Sequence, residues 1–126
     1  MTGMPIVDIS TFEISILLFI VIWRSLVIME VDFADDELDR LEVEAGFSAG
    51  FGPEIVRGFR KVMGAIRAAQ DERDLYGSRG LRFERLDGKR KHQHSLRINK
   101  QWRLIIELRG ESTHKRIRVI KIEDYH

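Results

Sequence analysis

The chain contains no cysteine. That excludes disulfide staples, thiolate metal sites and thiol catalysis, and points to a cytosolic protein. It also lacks a Gly-rich phosphate loop, a Ser/His/Asp order and zinc-ligand spacing. Internal repeats and low-complexity segments are missing as well. Long apolar runs are scarce: Ile14 to Trp23, then Leu26-Val27-Ile28 after Arg24 and Ser25. A bilayer span needs about 20 apolar residues, so no stable membrane association is expected. A secretory signal does not fit either, because Asp8 and Glu13 precede the apolar part and no small-residue cleavage site follows. Three readings of this leader remain: a short buried strand or helix, a membrane-associating segment, or upstream sequence translated from a start codon assigned too early. Met29, directly before a plausible domain start, favours the last. Residues 1–28 are then a leader and 29–126 the domain.

Net charge is also nearly lacking, at +1 over 126 residues, a length that suits one domain. The balance hides an asymmetry. Met29 to Val56 carries nine acids and one Arg, a charge of −8, whereas Arg57 to His126 carries nineteen Lys or Arg and nine acids, a charge of +10. A basic C-terminal part suggests an anionic partner for one face, although a solvated charged surface accounts for the count equally well.

Met29 to Phe33 alternates as a half-buried strand. Asp35, Asp36 and Glu37 crowd the first turn of a short helix with Leu38 and Leu41 inward. Pro53 opens a second helix, in which Ile55, Phe59, Val62, Ile66 and Ala69 recur at helical spacing and Arg57, Arg60, Lys61 and Arg67 take the outer face. This helix fades by Asp71 to Asp74, and Tyr76 to Gly80 reads as a connector. Four strands follow: Leu81 to Leu86, His94 to Ile98, Trp102 to Leu108 and Arg116 to Ile122. Arg109 to Ser112 supplies the last turn, and Val119, Ile120 and Ile122 suit a central strand apolar on both faces. The order gives an α+β domain, with two N-terminal helices on one face of a mostly antiparallel sheet of four or five strands.

The most informative stretch is Gly88 to Arg103. Its first thirteen residues hold five Lys or Arg and two His. A hairpin that keeps the apolar residues on one side sets Leu96 opposite Leu104, Ile98 opposite Trp102 and Arg97 opposite Arg103, around a loop Asn99 to Gln101. Two arginines side by side are unfavourable unless an anion lies across them. A phosphate backbone is the obvious candidate. Lys89, Arg90, Lys91 and Lys100 extend the basic surface. His92 and His94 at i, i+2 point to one face, but no third metal ligand is indicated and the neighbouring cations disfavour a metal. The chain stops on Tyr125-His126 straight after a core strand. His suits proton transfer near neutral pH, while terminal residues commonly fray.

Leu86-Asp87-Gly88-Lys89-Arg90, His94-Ser95-Leu96-Arg97-Ile98-Asn99-Lys100-Gln101-Trp102-Arg103-Leu104 and Glu123-Asp124-Tyr125-His126 together resemble the HigB-like branch of the RelE/ParE toxins of bacterial type II toxin–antitoxin systems. The likeness covers about Met29 to His126. It implies a RelE-like fold, ribosome-dependent cleavage of mRNA without a cofactor, and inhibition by a small helix-turn-helix antitoxin encoded by a neighbouring gene. Catalysis then falls to Tyr125 and His126, with Arg97 and Arg103 clamping phosphate and Lys89 and Arg90 in the basic loop. Some HigB toxins carry a His and a Lys where this chain has Glu84 and Asp87. Glu84 is thus a candidate base, and His92 or His94 a candidate source of the lost imidazole. The same departure leaves two other classes open: a ParE-like toxin that inhibits a protein such as gyrase, and an inactive basic RNA-binding module.

Overall fold

A computed structural model of the chain describes residues 15–18, 29–111 and 114–125. Residues 15–18 are helical and exposed; the rest of the apolar leader lies outside the described residues. Among the described residues no helix is long and apolar enough to cross a membrane.

The architecture is α+β. Strand β1 (Glu30–Phe33) leads into helices α1 (Asp36–Val43), α2 (Pro53–Ala68) and α3 (Glu72–Gly77). A 3-10 turn at Arg79–Leu81, strand β2 (Glu84–Arg85) and a second 3-10 turn at Gly88–Arg90 follow. Strands β3 (Gln93–Arg97), β4 (Trp102–Glu111) and β5 (His114–Asp124) complete a five-stranded sheet of order β1-β5-β4-β3-β2. All pairings are antiparallel except β1 with β5.

Local chemistry explains the helices. Asp35 caps α1 by accepting from the Glu37 N–H at 2.9 Å. Pro53 starts α2, and its stripe Val56, Phe59, Val62, Met63 and Ile66 is buried. These residues pack with Leu38, Leu41, Leu96, Leu104, Ile106, Ile117 and Val119 into one core between helices and sheet. The outer-face expectation for α2 holds at Arg57, Lys61 and Arg67, which are exposed, and needs correction at Arg60, which is part-buried. Arg60 donates to the carbonyls of Leu41, Glu44 and Phe47, closing the C-terminal end of α1. Arg67 pairs with Glu42 of α1 at 2.7 Å.

Three expectations shift. The segment read as a connector contains α3, capped by Asp71, whose carboxylate accepts from the Arg73 N–H at 2.9 Å. The strand expected over Leu81 to Leu86 shrinks to two paired residues, because Arg82 turns the backbone into the left-handed region (φ +43°). The turn expected at Arg109 to Ser112 moves outward: β4 runs through Glu111, and Gly110 supplies a φ of +92° inside the strand. Strand β5 lies inside the sheet, between β1 and β4. The register slips between Ile105 and Ile106, leaving Ile120 as an extra residue, so Val119 and Ile122 both lie over the core.

Candidate active site

The β3–β4 hairpin forms in the expected register, with Leu96 opposite Leu104 and Arg97 opposite Arg103. The loop is set by Asn99, whose side-chain oxygen accepts from the N–H groups of Gln101 (2.9 Å) and Trp102 (2.8 Å). Behind the hairpin, α2 approaches closely. A Cβ at Gly58 would stand 2.6 Å from Ile98 Cγ2.

The two arginines of the expected clamp are not equivalent. Arg103 is only 6% exposed. One of its terminal nitrogens donates to the Arg82 carbonyl (2.6 Å) and the Ser95 hydroxyl (2.8 Å). The guanidinium also lies over the Tyr125 ring, 5.2 Å from its centroid. Burial lowers the Arg103 pKa from its ordinary value, the negative charge of Glu84 opposes that, and the charges of Arg82 and Arg97 add to it. Arg97 and the Arg82 side chain make no hydrogen bond or ion pair among the described residues. Glu84 is opposite Ser95 across β2 and β3, on this same face.

The tail is held to the hairpin. The Tyr125 N–H donates to the Gln101 carbonyl at 2.6 Å, and the Gln101 amide donates to Asp124 at 3.0 Å. Fraying does not describe Tyr125. His126 lies outside the described residues.

The basic loop packs over the same sheet face. Arg90 pairs with Glu123 at 3.1 Å, and Glu123 is opposite Arg103 across β4 and β5. Desolvation pushes the Glu123 carboxyl up, but the bonds from Arg90 and Lys121 outweigh it and hold its pKa low. Arg90 is therefore committed internally, whereas Lys89, Lys91 and Lys100 are exposed cations.

The histidine pair does not share a face. His94 stacks on Phe83 (4.8 Å, 12°) on the helix side of the sheet, and burial lowers its pKa. His92 approaches Glu107 at 3.9 Å on the opposite side. The split arises because β3 begins at Gln93: His92 lies in the preceding turn, outside the strand alternation that aims His94 at the helices. Among the described residues no group of three or more His, Asp or Glu is placed to hold a metal.

Two participants escaped sequence reading, Ser95 and Arg82. Ser95 had a signal, a small hydroxyl on the same strand face as Arg97. Arg82 had none, because its backbone conformation depends on a residue twenty-one positions away.

The family model for the "RelE-like toxin of type II toxin-antitoxin system HigB" matches residues 31–122. The chain belongs to this family. It is thus a RelE-like type II toxin by descent, and the hairpin and arginine cluster lie within the matched span. No curated protein matches the sequence. Among solved structures, the chain is similar to a YoeB/ParE toxin from Agrobacterium tumefaciens, with 17% identity, a TM-score of 0.49, and 78% of this chain and 100% of that one covered. It is also similar to the YoeB-YefM complex from Staphylococcus aureus, with 15% identity, a TM-score of 0.49, and 78% and 97% covered.

Proposed function

We propose that this HigB-like toxin is a metal-independent endoribonuclease that cuts mRNA on the ribosome and so stops translation in the cytoplasm. The observation that carries the reading is the seating of Tyr125, fixed by Gln101 and stacked on Arg103, beside Glu84 and Arg97. That places the residue before His126 against an electropositive surface. In the reaction the RNA's own 2′-hydroxyl attacks the adjacent phosphorus, and the bond to the 5′-oxygen breaks. A base must take the hydroxyl proton, cations must stabilise the added negative charge, and an acid must protonate the leaving oxygen. Glu84 suits the base, Arg97 the charge, His126 the acid and Tyr125 a positioning or proton-transfer role. Lys89, Lys91 and Lys100 extend the grip along the RNA backbone.

Residues 29–126 carry the whole activity in this reading, and a helix-turn-helix antitoxin encoded by a neighbouring gene silences it. Expression of 29–126 is expected to arrest growth and cleave translated mRNA, and His126→Ala to abolish both. Intact polysomal RNA during arrest would sink the reading.

One observation favours a second reading. Of the two histidines that could replace the lost imidazole, His94 lies on the helix side of the sheet and His92 beside Glu107. A ParE-like toxin acting on a protein target such as gyrase needs none. Arrested DNA replication with toxicity retained in His126→Ala would identify it.

A further inference from the structure

Of the described Phe, Tyr and Trp rings, two are at least half exposed, Tyr125 at 50% and Tyr76 at 54%. Tyr125 belongs to the site above, whereas Tyr76, on α3, has no part in it. Its neighbour Leu75 is buried and anchors α3 in the core. The Tyr76 ring meets Phe83 edge to face at 4.6 Å and 67°. Phe83 is buried and stacks in turn on His94 at 4.8 Å. The buried pair is a fixed bed, so Tyr76 is held in a set orientation and little side-chain freedom is lost when a flat ligand covers it.

The acids of α3 are already engaged. Asp71 pairs with Arg73, Glu72 pairs with Lys115, and Asp74 accepts from the Gln70 N–H. Two cations near the ring are not neutralised. Arg79 is exposed in the 3-10 turn that follows α3, and its side chain makes no hydrogen bond or ion pair among the described residues. Arg85 lies opposite His94 across β2 and β3, and it donates to the Lys91 carbonyl at 2.7 Å, which leaves its charge uncompensated.

A surface that docks a protein partner presents contiguous apolar side chains at its centre. Here a single ring stands among guanidinium groups, a pattern that takes an unpaired nucleobase on the ring and the neighbouring phosphates on the cations. The ring also lies just over the sheet edge from the candidate site. Strand β2 is that edge, only two residues long and exposed throughout. Alternation puts Glu84 on the face of Ser95 and Arg97, and Arg85 on the helix side with His94. RNA leaving Glu84 therefore turns over one short strand to reach Arg85 and Tyr76.

We propose that Tyr76 is a stacking platform for an unpaired base of the RNA flanking the cleaved bond, with Arg79 and Arg85 holding the adjoining phosphates. That the ligand is RNA rests on the ribonuclease reading above.

The test compares two single strands of equal length, a 2′-O-methylated RNA that resists cleavage and the same backbone without bases. Removal of one base-stacking ring weakens binding about five- to hundred-fold. Tyr76→Leu keeps an apolar side chain on Phe83, and it is expected to weaken binding of the base-bearing strand by that factor and to leave the baseless strand unaffected. Tyr76→Phe is expected to bind like wild type, because the ring and not the hydroxyl makes the contact. Arg79→Gln and Arg85→Gln are each expected to lower the slope of log affinity on log salt by about 0.7 with either strand. Arg79→Gln, on an exposed turn, keeps the proposal testable if the leucine variant does not fold. Equal binding of the base-bearing strand by wild type and Tyr76→Leu would overturn the platform, as would wild-type protein that binds neither strand. So would antitoxin affinity that falls in Tyr76→Leu while RNA binding holds, since the patch would then serve a protein. Wild-type protein that binds RNA through Tyr76 yet leaves translated mRNA intact defeats the ribonuclease reading alone.

Discussion

The close approach of α2 to the hairpin at Gly58 gives a prediction whose sign is set by two opposing terms. Alanine is favoured over glycine in a helix interior by about 1 kcal/mol, so Gly→Ala in an open helical site should stabilise. Gly64, on the same helix, is such a site, with nothing within 4 Å of an added Cβ. At Gly58 the Cβ would meet Ile98 Cγ2 at 2.6 Å and the Ile98 carbonyl oxygen at 3.1 Å. Carbon atoms settle at about 3.5–4.0 Å, so the hairpin must retreat by roughly 1 Å or Ile98 must leave its rotamer. Overpacking of this kind costs about 1–3 kcal/mol, enough to cancel or exceed the propensity gain. Gly58→Ala should therefore fall about 1–3 kcal/mol below Gly64→Ala in urea unfolding, or several degrees or more in melting temperature for a domain of this size. Propensity is common to both variants and cancels in the difference. The displaced hairpin carries Arg97, so Gly58→Ala should also weaken RNA binding while Gly64→Ala does not. Equal stability of the two variants would refute the reasoning, since it would mean the hairpin tip yields without cost.

Other perturbations test other joints. Arg60→Met strips the carbonyls of Leu41, Glu44 and Phe47 of a charged donor and should cost about 1.5–3 kcal/mol, read by thermal unfolding. Asn99→Ala removes the acceptor for two loop N–H groups and should cost about 1–2 kcal/mol, with Asn99→Asp restoring most of it. Burial, with a contribution from the Arg85 charge, lowers the His94 pKa from its ordinary 6.5. As pH falls, the unfolded chain takes up that proton before the folded one does. Stability should then decline below about pH 6.5, and His94→Phe, which keeps a ring on Phe83, should flatten that part of the melting-temperature profile.

The parts of this fold governed by local pattern were legible in the sequence. Alternation around Leu96, Ile98, Trp102 and Leu104 fixed the hairpin register, and spacing from Val56 to Ile66 fixed the buried face of α2. The third helix also had a local signal that went unused, Asp71 followed by Asp74 in the manner of a cap, outweighed by the run of charged residues around it. What alternation cannot supply is which polar residue ends up covered. Arg97 and Arg103 look alike in sequence, and only the long-range contact with Arg82 and Tyr125 makes one of them a buried support. The splitting of His92 from His94 likewise follows from where β3 begins. The bulge at Ile120 left no mark, since an extra apolar residue in an apolar strand reads as continuity.

The parallel pairing of β1 with β5 constrains how the protein can be made. Sequence neighbours of β1 are helices, and its one strand partner lies 86 residues on, as in the pair Glu30–Arg116. During synthesis β1, α1 and α2 emerge first, but the sheet that should cover their apolar faces arrives last. Until β5 leaves the ribosome, β1 has no strand to join and β4 shows an open edge, a state prone to mispairing. Such a high-separation closure is slow to form. A nascent toxin is therefore assembled only when its final strand is in place, and the strand that completes the sheet also delivers Tyr125 to Arg103.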